Sequence, residues 1–292
     1  MSIKAIEAVY LPGPPHFVGD GFRVHNFIPS RHGLDMHRMS PFIMMDYGAK
    51  FHVPPSDSPK GVGVHPHRGF ETVTIAYKGR VAHHDSAGGG GIIGEGDVQW
   101  MTAASGVLHK EYHEESFSKT GGDFQMVQLW VNLPAKDKMS PPSYQAITRG
   151  DIQTVELENG NGKIEIIAGS FNGVKGPART FSPVDLMNAF LPANGEVQFS
   201  FSQHDHTALV VISGKININH EQEASANQLV IFQDDGEDFS IQAIDESVVL
   251  ILNGEPIPEP IAAYGPFVMN TREEIIQAYQ DFQSGKFGLL ED

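Results

Sequence analysis

The sequence predicts a mainly β chain built as two small antiparallel barrels and closed by a short C-terminal helix. Three observations predict it. Short apolar stretches with a two-residue alternation recur from one end to the other, and 31 glycines and 19 prolines spread between them supply the turns. Setting Gly79 against Gly214 pairs ETVTIAYKGRV, residues 71–81, with HTALVVISGKI, residues 206–216, so the two halves share a pattern. A length of 292 residues is comfortable for two cores, each burying its own apolar surface.

Taken in order, residues 3–10 and 22–27 read as strands on either side of the turn-rich stretch Leu11-Pro12-Gly13-Pro14-Pro15. The apolar segment 40–47 runs under or beside a barrel. Residues 64–77 form a long strand region that turns at Lys78-Gly79 and returns as 80–85. The glycine run 87–91 resembles a phosphate cradle only superficially. A Walker-type loop needs Gly-Lys-Ser/Thr opening a helix, and Ile92-Ile93-Gly94-Glu95-Gly96-Asp97 follows instead, so a hairpin loop is expected. Residues 98–101 and 124–133 are further strands. Pro134 to Pro142, with prolines at both ends, gives the clearest linker, because proline cannot continue a ladder. The expected domains are therefore 1–134 and 145–292, joined by 135–144. Strands in the second half fall at 164–168, 197–202, 209–213, 229–232 and 248–252. Only the end looks helical: Thr271-Arg272-Glu273-Glu274 has the form of a capping box, Ile275, Ile276, Tyr279 and Phe282 fall on one face, and Gly285 is a stop.

Composition excludes several classes of function. The net charge of −16 argues against nucleic-acid binding through a basic surface. The absence of cysteine removes disulfides, thiolate metal sites and thiol nucleophiles, and fits a reducing compartment. No apolar run approaches the roughly 20 residues that span a bilayer, and the first residues lack the apolar core of a signal peptide. A cytoplasmic, monomeric protein is expected.

The chemistry concentrates in two short pieces. Val64-His65-Pro66-His67-Arg68-Gly69-Phe70-Glu71 precedes one strand, and Gly106-Val107-Leu108-His109-Lys110-Glu111 comes later. Side chains alternate along a strand, so His65 and His67 share a face, as do His109 and Glu111. Two such pairs facing each other inside a barrel present three imidazoles and one carboxylate to one point, which is a metal site. Burying that set without a metal would leave polar groups unpaired at a cost of several kcal/mol. Glu71, four residues after His67, shares the inward face of an unbulged strand, so spacing alone leaves Glu71 and Glu111 both open as the carboxylate. The remaining histidines, His16, His25, His32, His37, His52, His83, His84, His113 and His220, are expected at the surface or as satisfied core residues, and Met44-Met45 as packing. His204-Asp205-His206 imitates the first pair. In the repeat register, however, Ser200 and Ser202 stand opposite His65 and His67, so the second barrel is expected to be metal-free.

HxH, a following Glu71, Gly79 and the turn Gly94-Glu95-Gly96-Asp97 fit a cupin motif. HPHRGFETVT, GDVQWMTAASGVLHKE and QLWVNLPAKDKMSPPSYQ resemble the pirin family, a branch of the cupins, from about Phe22 to Gln145 and again at the C-terminal helix. The resemblance implies a bicupin with iron held in the N-terminal barrel alone. Carried over position by position, it places the ligands at His65, His67, His109 and Glu111, leaving Glu71 as a hydrogen-bonding neighbour. The second half departs most from pirins, so the role of that barrel stays open.

Imidazole and carboxylate donors suit Fe(II), Mn, Co, Ni, Cu or Zn. A divalent ion with three neutral imidazoles and one carboxylate carries a net charge of +1 and favours an anionic oxygen ligand such as an enolate. No flavin or nicotinamide fingerprint is visible, so the substrate itself supplies the electrons. Pirins that cleave flavonols with dioxygen make a quercetin 2,3-dioxygenase-like reaction the leading expectation. In that reaction the 3-hydroxyl binds deprotonated, Glu111 serves both as ligand and as proton acceptor, and Phe42, Met44 and Gln128 wall the pocket. Other pirins are iron-dependent regulatory partners of transcription factors or metabolic enzymes, and that is the competing expectation.

Overall fold

The computed structural model describes residues 2–29 and 34–291, in two compact units. The site-bearing unit comprises residues 14–37, 41–149 and 257–292, and the other comprises 1–13, 38–40 and 150–256. Among the described residues each unit is built on a pair of antiparallel sheets, one of seven strands and one of four, with one small two-stranded sheet besides.

In the site-bearing unit the larger sheet runs, in spatial order, Ser143–Ile147, Val98–Thr102, Phe70–Lys78, Gly122–Asn132, Phe42–Val53, Phe22–Ile28 and His16–Val18. Its smaller sheet runs Gly61–His67, Val107–His113, Val81–Asp85 and Gly90–Ile93. The second unit repeats both orders strand for strand. Its larger sheet runs Ile6–Tyr10, Leu229–Phe232, His206–Ser213, Ser247–Gly254, Val184–Leu191, Lys163–Ala168 and Gln153–Glu156. Its smaller sheet runs Glu196–Ser200, Asp238–Ala243, Lys215–Ile218 and Gln222–Ser225. Phe70–Lys78 and His206–Ser213 occupy the same place in the two orders, as the repeat centred on Gly79 and Gly214 predicts.

The expected domain boundaries need correction. Residues 6–10 complete the larger sheet of the second unit by pairing with Leu229–Phe232, and residues 257–292 fold with the site-bearing unit. Residues 135–144 are not a free linker. Ala135–Asp137 forms a 3-10 turn, and the chain then enters Ser143–Ile147, the outer strand beside Val98–Thr102. Lys138 in this stretch is buried, its ammonium donating to Gly69 O, Asn132 Oδ1 and Val268 O at 2.7, 2.6 and 3.1 Å. Three acceptors use all three of its N–H groups. Prolines marked the stretch as irregular, and the lysine nonetheless ties it down.

Two helices lie in the site-bearing unit. The short α1 (Glu115–Thr120) was not expected from the sequence. Its N-cap is Glu114, whose carboxylate accepts from the Ser116 and Phe117 amides. The C-terminal α2 (Arg272–Gln283) carries the expected capping box on Thr271 and Glu274. Its buried face is Ile275, Ala278 and Asp281, whereas Ile276 and Phe282 are exposed. The expected apolar stripe is corrected to this extent, because a charged residue occupies the inner position. Asp281 there accepts from the buried Arg68 guanidinium at 2.9 Å. No helix among the described residues is long and apolar enough to cross a membrane.

The inner faces of the two smaller sheets set the units apart. In the second unit Val197, Phe199, Ile216, Ile218, Phe239 and Ile241 point inward and join Met187, Leu209, Val230 and Val249 of the larger sheet in one apolar core. In the site-bearing unit the smaller sheet gives Val81, Ile93 and Val107 to apolar clusters, while His67, His83, Asp85, His109, Glu111 and His113 are buried on the same sheet. One barrel is therefore filled, and the other keeps polar side chains inside.

Candidate metal centre

The local sequence places each polar side chain by alternation. His65 and His67 come from Gly61–His67, His109 and Glu111 from Val107–His113, and the two strands pair with His109 opposite His65. The pairing shifts register between His109 and Glu111. Val81–Asp85 borders Val107–His113 on its other side, with His83 opposite Glu111 and Asp85 opposite His109.

The structure brings His65, His67 and His109 together, with ring centroids 4.1 to 4.8 Å apart. One nitrogen of each of these three lies within 4.8 Å of the others. Glu111 stands in a second such group, with His109 and His83. His109 is common to both groups, and Glu111 sits toward the His83 side of it.

Hydrogen bonds decide which nitrogens face inward. His65 Nδ1 lies 2.9 Å from Gly63 O, and His67 Nδ1 lies 3.3 Å from Pro266 O. A carbonyl only accepts, so each Nδ1 carries the proton and each Nε2 keeps its lone pair. His109 Nδ1 faces His83 Nδ1 at 3.4 Å, and its Nε2 is buried without a hydrogen-bond partner. Burial first, and then the neighbouring imidazoles, hold His67 and His109 well below the ordinary histidine value. Neutral imidazoles with free Nε2 atoms and one orphaned buried nitrogen are what a metal ligand set requires, so the residues fit the group.

The Glu111 carboxylate accepts from two amides, Gln99 Nε2 on Oε1 at 2.5 Å and Gln128 Nε2 on Oε2 at 3.0 Å. Glu71 accepts from Thr102 Oγ1 at 2.7 Å and belongs to neither histidine group. Burial pushes its carboxyl up to about 7. The unfolded chain therefore releases this proton near the ordinary glutamate value of about 4.5 and the folded chain near 7, so stability falls as pH rises through that window. In metal-free protein, Glu71→Gln is expected to flatten this fall, gaining on the order of 3 kcal/mol over wild type at pH 8 relative to pH 4. Chemical denaturation across that range checks it, and parallel pH profiles for the two proteins would contradict it.

Other side chains complete the surroundings. Asp46 and Gln128 line a cavity of about 30 Å³ beside His65 and Glu111, walled by Val18, Phe22, Val24, Val62 and Met126. Gln128 is thus where the sequence reading puts it, but Phe42 and Met44 do not line this cavity; Asp46, on the same strand, does. The C-terminal segment also reaches the site. Pro266 supplies the carbonyl on His67, Arg68 donates from Nε to Ser105 O at 2.7 Å, and its guanidinium stacks 4.7 Å from the Phe287 ring. Gly69 has φ of 91°, and a Cβ there would strike Val268 O, so glycine permits that approach.

Of the histidines set aside from the sequence, His16, His37, His52, His84 and His220 are exposed, and His25 and His113 are buried away from the cluster. His32 lies outside the described residues. His83 is a satisfied core residue, as expected, but it stands beside the cluster, buried between Glu111, His109 and Asp85. Its signal was legible: His83 and Asp85 alternate inward exactly as His65 and His67 do. In the second unit His206 Nδ1 donates to Ser40 O at 2.7 Å, and His204 is exposed.

Comparison with known proteins agrees with this geometry. The family described as Pirin matches residues 21–131, and the Pirin C-terminal cupin domain matches residues 186–288. A Pseudomonas aeruginosa protein, named provisionally as a quercetin 2,3-dioxygenase, is 46% identical over 98% of this chain and 99% of its own length. A pirin-like protein of Caulobacter vibrioides is 36% identical over 94% of this chain and 96% of its own. The crystal structure of a quercetin 2,3-dioxygenase from Acinetobacter baumannii superposes with a TM-score of 0.93 at 44% identity, covering 99% of this chain and 100% of that one. With two cupin-type units, and a cluster of inward-facing histidines in one of them, this chain belongs to the pirin family.

Proposed function

We propose that this protein is a metal-dependent dioxygenase that opens a flavonol ring with dioxygen, as a quercetin 2,3-dioxygenase does. The observation that carries the reading is the inward set of lone pairs on His65, His67 and His109, including the orphaned Nε2 of His109. The names of relatives at 44% and 46% identity supply the reaction class. In this reading His65, His67, His109 and Glu111 hold one divalent ion, Fe(II) in the first instance. When bound, it supplies Lewis-acid activation of an ionised hydroxyl.

The chain's own residues supply the rest. Neutral imidazoles leave the ion with net positive charge, so an anionic oxygen of the substrate is preferred over its neutral form. Glu111 takes the 3-hydroxyl proton on a carboxylate oxygen, oriented by the Gln99 and Gln128 amides. Val18, Phe22, Val24 and Met126 give the cavity side of the site an apolar wall. No second metal set is proposed in the other unit, whose interior is apolar.

One observation favours a second reading. A cavity of about 30 Å³ has room for a water or two but not for a three-ring flavonol. A site of that size suits an iron-dependent interaction protein, in which the metal sets the state of a surface read by a partner. Under the first reading, substrate entry displaces the Val18–Phe22 wall. Chain reconstituted separately with Fe(II), Ni, Co, Mn, Cu or Zn, then given quercetin and dissolved oxygen, separates the two. One equivalent of metal, with saturable oxygen uptake and carbon monoxide release, is expected. Stoichiometric metal with no oxygen uptake across the series would sink the enzyme and favour the interaction protein.

A further inference from the structure

The hairpin of residues 81–93 plays no part in the function proposed above, yet it places an acid and an imidazole in line with His109. His83 is wholly buried, its Nδ1 is 3.4 Å from His109 Nδ1 and its Nε2 is 3.4 Å from Asp85 Oδ2. Asp85 is held from behind. Its Oδ1 accepts from the Ala87 and Gly89 amides at 2.9 and 2.8 Å, so the glycine run that resembled a phosphate cradle wraps a carboxylate of the chain itself. Gly89 has to be glycine for this, since a Cβ there would strike Asp85 Oδ2 and the Tyr144 side chain. Tyr144 stacks on His83 with centroids 5.0 Å apart and 16° between planes, which fixes the ring.

We propose that Asp85 and His83 are positioning residues that lock His109 in the tautomer with its proton on Nδ1 and its lone pair on Nε2, aimed at the metal. The proposal rests on the reading of His65, His67 and His109 as metal ligands. Its logic is a proton count. Two nitrogens facing each other share one proton, so one donates and the other accepts. Asp85, as a carboxylate, accepts the Nε2 proton of His83. Neutral His83 then has a bare Nδ1, which accepts from His109 Nδ1 and leaves His109 Nε2 unprotonated. Burial pushes the Asp85 carboxyl up, but hydrogen bonds from His83 and from the Gly89 and Ala87 amides outweigh it and hold the group below its ordinary value. The opposite order would put a proton on His109 Nε2, a buried atom with no acceptor within hydrogen-bond distance. Glu111 Oε1, 4.0 Å from His83 Nδ1, is beyond hydrogen-bond reach, so it offers that nitrogen no acceptor and does not draw the proton onto it. Carbonyls do the same service for His65 and His67; His109 alone is set by a charged group through a second imidazole.

Two measurements on the full chain test this. In metal-free protein with 15N-labelled histidine, long-range nitrogen–proton spectra read each tautomer directly. The expected result is His83 protonated on Nε2 and His109 on Nδ1; His109 protonated on Nε2 overturns the proposal. Zn(II) affinity, by competition with a chelator, is then compared for wild type, His83→Gln and His83→Leu. A glutamine can accept from His109 with its oxygen and donate to Asp85 with its nitrogen, whereas leucine fills the space and does neither. Glutamine is expected to stay within a few-fold of wild type, and leucine to lose roughly 10–100-fold. Equal affinity in both variants would reduce His83 to packing and overturn the proposal. If His83→Leu does not fold, the wild-type tautomers and His83→Gln decide alone, a large loss in glutamine counting against the relay. Absence of Zn(II) uptake by wild type with the expected tautomers in place would instead sink the metal reading, and with it the purpose assigned to the pair.

Discussion

Replacing His67 with alanine is expected to strip the chain of its metal while leaving both barrels folded. His67 is buried, its Nδ1 is spoken for by Pro266 O, and its Nε2 joins those of His65 and His109. Removing one of the three imidazoles takes away a donor that no neighbour replaces. The loss should exceed the roughly 100-fold that marks the upper end for residues acting through a ligand. The fold should survive because its stability lies elsewhere. The second unit has an apolar core of its own, and the site-bearing unit packs Phe22, Val24, Phe117, Phe124 and Met126 in an apolar cluster that does not depend on His67. The local cost is a lost hydrogen bond to Pro266 and a cavity the size of a ring, together about 2–4 kcal/mol. Elemental analysis and far-ultraviolet circular dichroism, taken side by side, check it. Full metal occupancy in the variant would remove His67 from the ligand set, and a collapse of the dichroism would make the site a folding staple.

Much of this architecture was legible because alternation and local chemistry agree. HPH before a long apolar strand, and HKE within the strand Val107–His113, each send two side chains inward, and the structure brings three of those four nitrogen or oxygen donors within reach of one another. The capping box at Thr271 and the matched glycines at 79 and 214 are equally local signals. What stayed hidden depends on long-range pairing. Nothing near residues 6–10 states that they will pair with Leu229–Phe232, so the domain boundary drawn at the prolines put both chain ends in the wrong unit. Alternation sends His83 and Asp85 inward, but only the pairing of their strand with Val107–His113 sets His83 opposite Glu111. The glycine run was rightly separated from phosphate loops, but its partner, Asp85, is a backbone-to-carboxylate contact that composition does not display. Glu71 and Glu111 could not be separated by spacing, because both positions face inward. Their surroundings differ: Glu111 accepts from two amides and stands in a group with His83 and His109, whereas Glu71 accepts from a threonine.

Glu111→Gln should therefore be the more damaging of the two carboxamide substitutions. In wild type both carboxylate oxygens accept, from Gln99 and from Gln128. A glutamine offers one oxygen and one amide nitrogen, so one of those donors meets another donor. Gln99 can turn its amide over, because its own Oε1 is buried with no partner, and accept from the new N–H. The penalty in stability is then about 1 kcal/mol, and the fold persists. The charge, in contrast, is lost outright. The ion with its ligands would rise from +1 to +2, and a neutral amide oxygen is a poorer donor to a hard cation. If Glu111 is a ligand, metal affinity should fall by more than 100-fold, whereas Glu71→Gln, bonded to Thr102, should stay within about 10-fold. Saturating metal then isolates the second role. An amide cannot take the 3-hydroxyl proton, so reloaded Glu111→Gln should still cleave flavonol at least 100-fold more slowly than wild type. Chelator competition gives the first comparison, and oxygen uptake at full metal occupancy gives the second. Full turnover on reloading would leave substrate ionisation to the metal alone, and a larger metal loss in Glu71→Gln than in Glu111→Gln would transfer the ligand role to Glu71.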